Sequence, residues 1–314
     1  MNKPKKCGSW LVFFLAVCAF TGFGQDTANY EVLVSKASLC HLQKRYMEGL
    51  AYYEQAFALR QPDALNAYKA AALYALDSNG VKSFAYLHLA LDKGWTDAAW
   101  LATDPYFDYL KQTAPAQWQE ALQKAIRREQ EYSRHLRLPR LREQINRLAL
   151  NDQGLRYRQI QATGREQSDS LAMAISRSDA DDLQAAKRII GQYGWPSLSE
   201  IGRDGANNLW LIVPHSDQDI LFQRRVLALM EKRKRTGEID LENYAYLYDR
   251  VKCGLNERQY YGTQVRWSGH GEASGFRPIR EENTVDERRK ALGMTTLKIY
   301  ALTYGFVYTP VSAA

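Results

Sequence analysis

The sequence has few cysteines and lacks the cysteine spacings of a disulfide framework or a structural zinc site. Four cysteines occur, and two of them lie in the first 24 residues, which leaves Cys40 and Cys253. These two fall in different predicted domains, and a bridge requires Cα atoms within roughly 7 Å of each other. A disulfide between them is therefore the less favoured alternative.

Several catalytic signatures are also absent. The chain has no Gly-x-Ser-x-Gly nucleophile elbow, no glycine-rich phosphate-binding loop and no His-Glu-x-x-His helix. These absences argue against an α/β-hydrolase, a P-loop nucleotide-binding protein and a zinc protease of that type. They leave binding proteins and enzymes without one of these short motifs.

The only long apolar run lies at the N-terminus. Basic residues begin the chain, an apolar run covers residues 10–20, and small residues precede Gln25. This order is typical of a secretory signal peptide, and the run is short for a membrane span. We expect residues 1–24 to be removed near Gly24 and the protein to be exported, periplasmic or secreted. Lipid attachment at Cys18 is the alternative, although Val17 does not fit the usual lipid-attachment motif.

A strong excess of charge of one sign is missing as well. The formal charge is +7, and removal of residues 1–24 leaves 39 basic and 35 acidic side chains, a charge of +4. A charge this small does not indicate a nucleic-acid-binding protein. A membrane partner is expected only if Cys18 carries a lipid.

The N-terminal half contains short amphipathic helices that repeat. Residues 46–57 align with residues 80–91, and the distance from Ala56 to Ala90 is 34 residues, the period of a tetratricopeptide repeat. Small residues let paired helices approach closely. We assigned this role to a set of alanines: Ala51, Ala70, Ala71, Ala85 and Ala90. Two repeats are few for a solenoid, so later helices are expected to cap the array.

The pattern after the repeats is mostly helical. Residues 124–147 form a basic stretch, and residues 131–147 are expected to connect two domains. The stretch is interpreted as a solvated helix face, with an anion-binding or membrane-surface patch as the alternative. Helices are predicted near residues 141–150, 152–162, 166–177, 181–193, 204–214, 217–235 and 240–252. Two extended segments, 258–267 and 275–280, flank a glycine-rich loop. The predicted class is mainly α. The expected domains are a signal peptide (1–24), tetratricopeptide-like repeats (25–130), the helical connection (131–147) and a helical domain with a small β-hairpin (148–314).

Polar motifs concentrate in the predicted C-terminal domain. His215 follows a buried apolar run, and its imidazole is a candidate general base that Asp217 or Asp249 would orient. Candidate ligand-binding residues occur on both sides of this motif: Asp152, Gln153, Arg156, Arg250, Gln259, Tyr261, Thr263 and Gln264. On an extended strand Tyr261 and Thr263 would share one face. A buried structural network made of the same residues is the alternative.

A metal site made by His215, Asp217, Asp219 and Asp249 is conceivable from ligand type alone, since carboxylates and imidazole bind hard or borderline cations. The spacing of these residues is not diagnostic. We therefore predict no metal and no cofactor.

These motifs resemble a known bacterial family. Residues 148–300 are similar to domain of unknown function 6624. Its elements appear here as 152–156, 194–196, 215–217, Asp249-Arg250, 259–264 and 288–293. Pro214 stands where the family commonly has Gln, and Asp182 where Asn is common. The family has no established activity, so the resemblance leaves the function open.

Three functions remain in view. The first is a binding module, in which the repeats hold a peptide or protein in their groove and the C-terminal domain holds a small polar or anionic ligand. The second is a hydrolase or transferase that uses His215 with Asp217 or Asp249. The third is a structural polar network with function only in the repeat groove.

Overall fold

The structure is a computed structural model that describes residues 25–215, 219–269 and 271–310. The predicted signal peptide and the lipid-attachment alternative at Cys18 lie outside these residues. Among the described helices, none is long and apolar enough to cross a membrane. Cys40 and Cys253 are not joined by a disulfide.

The described part of the chain is mainly α-helical with a small two-stranded antiparallel sheet, which confirms the predicted fold class. The N-terminal helices are α1 (Gln25–Leu42), α2 (Tyr46–Leu59), α3 (Ala64–Leu76), α4 (Gly80–Asp92), α5 (Ala98–Thr103), α6 (Asp108–Thr113) and α7 (Pro115–Ser133). The following helices are α8 (Pro139–Gln161), α9 (Arg165–Tyr193), α10 (Leu198–Ile212), α11 (Ile220–Lys234) and α12 (Leu241–Gly254). The strands β1 (Val265–Trp267) and β2 (Ala273–Phe276) precede α13 (Val285–Ala291) and α14 (Leu297–Thr303).

The described residues pack as two compact units. One, the repeat unit, contains residues 25–136, 258–265 and 273–310. The other, the bundle unit, contains residues 137–257 and 266–272. Each is described separately below.

In the repeat unit, α1 packs on α2 and α3 packs on α4. Ala70, Ala71 and Ala90 are fully buried, as expected for close helix packing. The assignment of Ala51 and Ala85 to that role is wrong, because both are exposed on the outer faces of α2 and α4. These helix pairs suggest a tetratricopeptide-like arrangement, which stays a prediction.

The C-terminal segment also belongs to the repeat unit. α14 packs against α1, and a Cβ atom added at Gly305 would lie 3.5 Å from the Leu39 side chain. This segment carries the last motifs of the family resemblance. Residues close to the end of the chain therefore complete the packing of its first described helix.

In the bundle unit, α8 packs against α9 and α10, and α11 packs against α12. The sequence predicted breaks near residues 151 and 178–180, yet α8 and α9 are continuous. No proline interrupts either helix, and the polar residues at the predicted breaks form hydrogen bonds along the helix. For example, Arg156 pairs with Asp152 one turn earlier.

The bends between the bundle helices follow local sequence. Gly194 takes φ +67° after α9, and Ser197 with Glu200 forms a capping box at the start of α10. Gly202, at φ +75°, interrupts the helical geometry within α10. Residues 204–212 therefore form the continuous part of this helix that faces α8.

Candidate functional site

The central feature of the bundle unit is a buried chain of polar side chains between α8 and α10. Arg142 was predicted to lie on a solvated face, but it is fully buried and donates to Asp204 Oδ2 through Nε (2.9 Å) and Nη2 (2.5 Å). Asn146 Nδ2 donates to the same oxygen at 3.1 Å, and Asn208 Nδ2 donates to Asn146 Oδ1 at 3.0 Å. The residues Arg142, Asn146, Asp204 and Asn208 are called the amide–carboxylate chain below.

The Asp204 carboxylate at one end of this chain determines the direction of each hydrogen bond in it. An ionised carboxylate only accepts hydrogen bonds, so Asn146 must turn its Nδ2 towards Asp204. Its Oδ1 then faces Asn208, which must present Nδ2 in turn. The Oδ1 atom of Asn208 is left as an acceptor. This order makes an amide flip at either asparagine unfavourable.

Two acceptors of the chain have no donor. Asn208 Oδ1 and Asp204 Oδ1 are both buried, and neither has a hydrogen-bond partner within the described part of the protein. Asn208 is only 1% exposed. A buried polar atom without a partner costs about 1–3 kcal/mol, and native proteins contain few of them. Among the described residues five further buried side-chain atoms lack a hydrogen-bond partner, including two donors on the same helix, Asn207 Nδ2 and Trp210 Nε1.

A second polar cluster lies between α8 and α9 and contains three predicted ligand-binding residues. Arg156 Nε donates to both oxygens of Asp152 at 3.0 Å, and its Nη2 donates to Asp179 at 2.5 Å. Gln153 Nε2 donates to Asp152 Oδ2 at 2.7 Å. The structure thus brings Asp152, Gln153 and Arg156 together.

Asp182 lies close to this cluster and was noted from the sequence only as a departure from the family pattern. It is 6% exposed and accepts a hydrogen bond from Ser178 Oγ at 3.2 Å. Burial, followed by the negative charge of Asp152, raises the pKa of Asp182 to about 6. The sequence did contain a signal for the burial of Asp182. Asp182 follows Ile175 by seven residues, which places both on the apolar face of α9.

The predicted general base cannot be placed against its partners. The side chains of His215 and Asp217 lie outside the described residues. Asp249 on α12 is fully buried, and Arg250 beside it is half-buried. Asp219 caps α11 by accepting from the Phe222 N–H at 2.9 Å.

Asp219 is also bound to a cation. Its Oδ2 lies 2.6 Å from Lys187 Nζ, and the hydrogen bond from this lysine lowers the pKa of the carboxyl. Within residues 25–215, 219–269 and 271–310, no three His, Cys, Asp or Glu side chains lie close enough to hold a metal ion.

The remaining predicted site residues lie in the repeat unit, where Gln259 bonds to backbone groups. Gln259 is fully buried, and its Nε2 donates to the carbonyls of Gln264 (2.9 Å) and Arg277 (2.8 Å). Its Oε1 accepts from the Gln264 N–H at 2.7 Å. The Gln264 Nε2 donates to Thr263 Oγ1 at 3.1 Å.

The expected strand alternation at Tyr261 and Thr263 is wrong, because β1 begins only at Val265. Gly262 takes φ +72°, which ends any extended run before it. The carbonyl of Tyr261 accepts from Arg289 Nη1 at 2.8 Å, and that of Thr263 accepts from the Tyr300 hydroxyl at 3.1 Å.

The buried Arg289 also donates from Nε to the Thr295 carbonyl at 2.6 Å. The 259–264 and 288–293 elements of the family resemblance are therefore joined by the hydrogen bond from Arg289 to the Tyr261 carbonyl. Such hydrogen bonds to the backbone are what a buried structural network, the alternative to ligand binding, would show.

Comparison with known proteins agrees with the motifs. The family model described as "Family of unknown function (DUF6624)" matches residues 139–308. The chain belongs to this family. Neither the curated proteins nor the solved structures contain a match. The residues matched by the DUF6624 model include the whole amide–carboxylate chain and the cluster around Asp152 and Arg156.

Proposed function

We propose that the bundle unit of this DUF6624 protein binds a small ligand that donates hydrogen bonds to the amide–carboxylate chain. The observation that carries the proposal is the pair of buried acceptors, Asn208 Oδ1 and Asp204 Oδ1, that lack donors in the described residues. A ligand hydroxyl, amide or ammonium group would supply the missing hydrogen bonds.

The free atoms also define the ligand class. Both are oxygens, and one belongs to a carboxylate whose other oxygen is already used by Arg142 and Asn146. An anionic ligand presents acceptors and would repel Asp204. The ligand group that reaches these two oxygens is therefore expected to be a donor, and the anionic class considered from the sequence is disfavoured at this position. Asn207 Nδ2 and Trp210 Nε1, buried donors of α10 without a partner in the described residues, would suit an acceptor group.

A purely structural role explains the chain less well. Apolar side chains of similar volume would fill the interface between α8 and α10 without two unmatched oxygens. Residues that bind ligands are often retained although they reduce stability. The ligand's hydrogen bonds would offset this loss in the bound state.

The experiment is a thermal-unfolding screen of the chain from Gln25 to Ala314 with four probes at equal concentration. Ethylene glycol, acetamide and ethylammonium each donate hydrogen bonds, while acetate only accepts them. We expect at least one donor probe to raise the melting temperature, because a molecule that binds only the folded state stabilises it. The shift should disappear in Asn208→Leu, which lacks the free acceptor.

Asn66→Leu is the matched control. Asn66 is a buried asparagine of the repeat unit that already bonds to Asp63, so its loss should leave the probe shift unchanged. Equal shifts in wild type and Asn208→Leu would contradict the proposal. A shift produced by acetate alone would contradict the donor class.

The proposal extends to export and to the repeats. Processing near Gly24 and export are supported by the order of basic, apolar and small residues in the N-terminal sequence. Peptide binding by the repeats is supported by the paired packing of α1 with α2 and of α3 with α4. The enzyme alternative uses His215 as the base with Asp217 or Asp249, and the side chains of His215 and Asp217 lie outside the described residues.

A further inference from the structure

We propose that the exposed face of α11 binds an anionic phospholipid surface. This face is defined by six exposed residues spaced at three and four positions: Leu221, Arg224, Arg225, Ala228, Lys232 and Arg235. Residues at this spacing lie on one side of a helix. The set extends over 14 positions, or about 21 Å at 1.5 Å per residue. It is called the basic face below.

The cations of the basic face are not used within the protein. Within the described part of the chain, the side chains of Arg224, Arg225 and Lys232 on α11, and of Arg235 at its C-cap, form no ion pair or hydrogen bond. Their neighbours on α11 differ from them in this respect. Lys234 Nζ lies 3.1 Å from Glu231 Oε1.

The carboxylate at the edge of the basic face is already occupied. Glu231 accepts a hydrogen bond from the Tyr244 hydroxyl and pairs with Lys234. These contacts, with the Tyr244 hydrogen bond as the largest cause, lower the pKa of Glu231, and Arg235 adds a smaller electrostatic effect. Glu231 is therefore charged, but it is directed to partners beside the basic face. The four cations remain available to an external anion.

The shape and composition of the face favour a lipid surface over other polyanions. The face is one side of a single helix, a ridge that a broad anionic surface can contact along its length. Leu221 is 71% exposed and lies in the same row as the cations. Insertion of this exposed side chain would add apolar burial to the electrostatic attraction of an anionic lipid surface. The face has no aromatic side chain on which a nucleic-acid base could stack.

The test is vesicle co-sedimentation of the chain from Gln25 to Ala314, which contains every described element. The probes are vesicles of phosphatidylcholine alone and vesicles with one quarter phosphatidylglycerol. We expect binding to the anionic vesicles only, and weaker binding at high salt because exposed charges are screened. Each basic residue close to an anionic surface contributes about a fivefold change in affinity. Arg224→Gln with Arg225→Gln should therefore weaken binding about 30-fold.

The control removes two positive charges that are already paired. Lys124 and Arg128 both bind Asp92, at 2.9 and 3.0 Å, so Lys124→Gln with Arg128→Gln should bind like wild type. Equal loss of vesicle binding in both double variants would show that only the net charge of the protein matters, and it would overturn the proposal. Absence of wild-type binding to anionic vesicles, or binding to duplex DNA with higher affinity than to vesicles, would also overturn it.

Discussion

Asp182→Asn should stabilise the protein at neutral and alkaline pH. The pKa of Asp182 is raised from 3.8 to about 6, first by burial and then by the charge of Asp152. A shift of this size corresponds to about 3 kcal/mol, since one pKa unit is worth about 1.4 kcal/mol. Asparagine keeps an oxygen that can accept the hydrogen bond from Ser178.

The sign of the pH dependence follows from linkage. The folded protein holds the Asp182 proton more tightly than the unfolded chain, so this group favours folding below pH 4. That contribution is lost as the pH rises from about 4 through about 6. Asp182→Asn removes the ionisation. Its advantage over wild type should grow from near zero at pH 4 to about 2–3 kcal/mol at pH 8.

The assay is urea unfolding of both proteins between pH 4 and pH 8, with the free energy extrapolated to water. Asp169→Asn is the control on the same helix, because the Asp169 side chain is 70% exposed and its replacement removes the same charge. It should change stability little at any pH. A difference between Asp182→Asn and wild type that does not vary with pH would refute the reasoning.

Three further predictions concern the repeat unit. Gly262→Ala should lower stability by about 2 kcal/mol or more, because φ is +72° and the new Cβ would lie 2.6 Å from Leu297 Cδ2. Gly94→Ala, with φ +102° and open space, should lose less in the same thermal melts. Arg289→Met should cost about 2–4 kcal/mol in urea unfolding, since a buried carbonyl and a part-buried one lose a charged donor. Equal stability of this variant and wild type would contradict that structural role. Truncation after Thr296 removes α14 and should make α1 the first site of limited proteolysis, whereas unchanged protection of α1 would argue against their packing.

Much of the fold could be predicted from the spacing of apolar residues and from the residues that end helices. The Gly194-Trp195-Pro196 turn ends α9, and the alanine-rich pattern identified paired N-terminal helices. The two false breaks, within α8 and α9, had a common cause. Clusters of Asp, Asn and Ser suggest loops, but here they bond along and between helices, as Asp152 does with Arg156.

The site was harder to predict because burial of polar residues depends on tertiary packing. Arg142 lies in a basic stretch that is typical of a solvated face, and only the position of Asp204 on α10 explains its full burial. Asn208 carries no motif at all. Conversely, Gln259 belongs to the 259–264 element of the family resemblance, but its amide group donates hydrogen bonds to two backbone carbonyls. Motif polarity pointed to the C-terminal half of the chain, but it did not single out the buried atoms that lack partners in the described residues.

The most direct measurement of the central claim is a high-resolution crystal structure of the purified protein, inspected between α8 and α10. The proposal predicts density for a bound molecule larger than water, with donors within hydrogen-bond distance of Asp204 Oδ1 and Asn208 Oδ1. A single ordered water bridging the two oxygens, or side chains rearranged so that both are satisfied by the protein, would contradict ligand binding. Either of those results would favour a structural role for the amide–carboxylate chain.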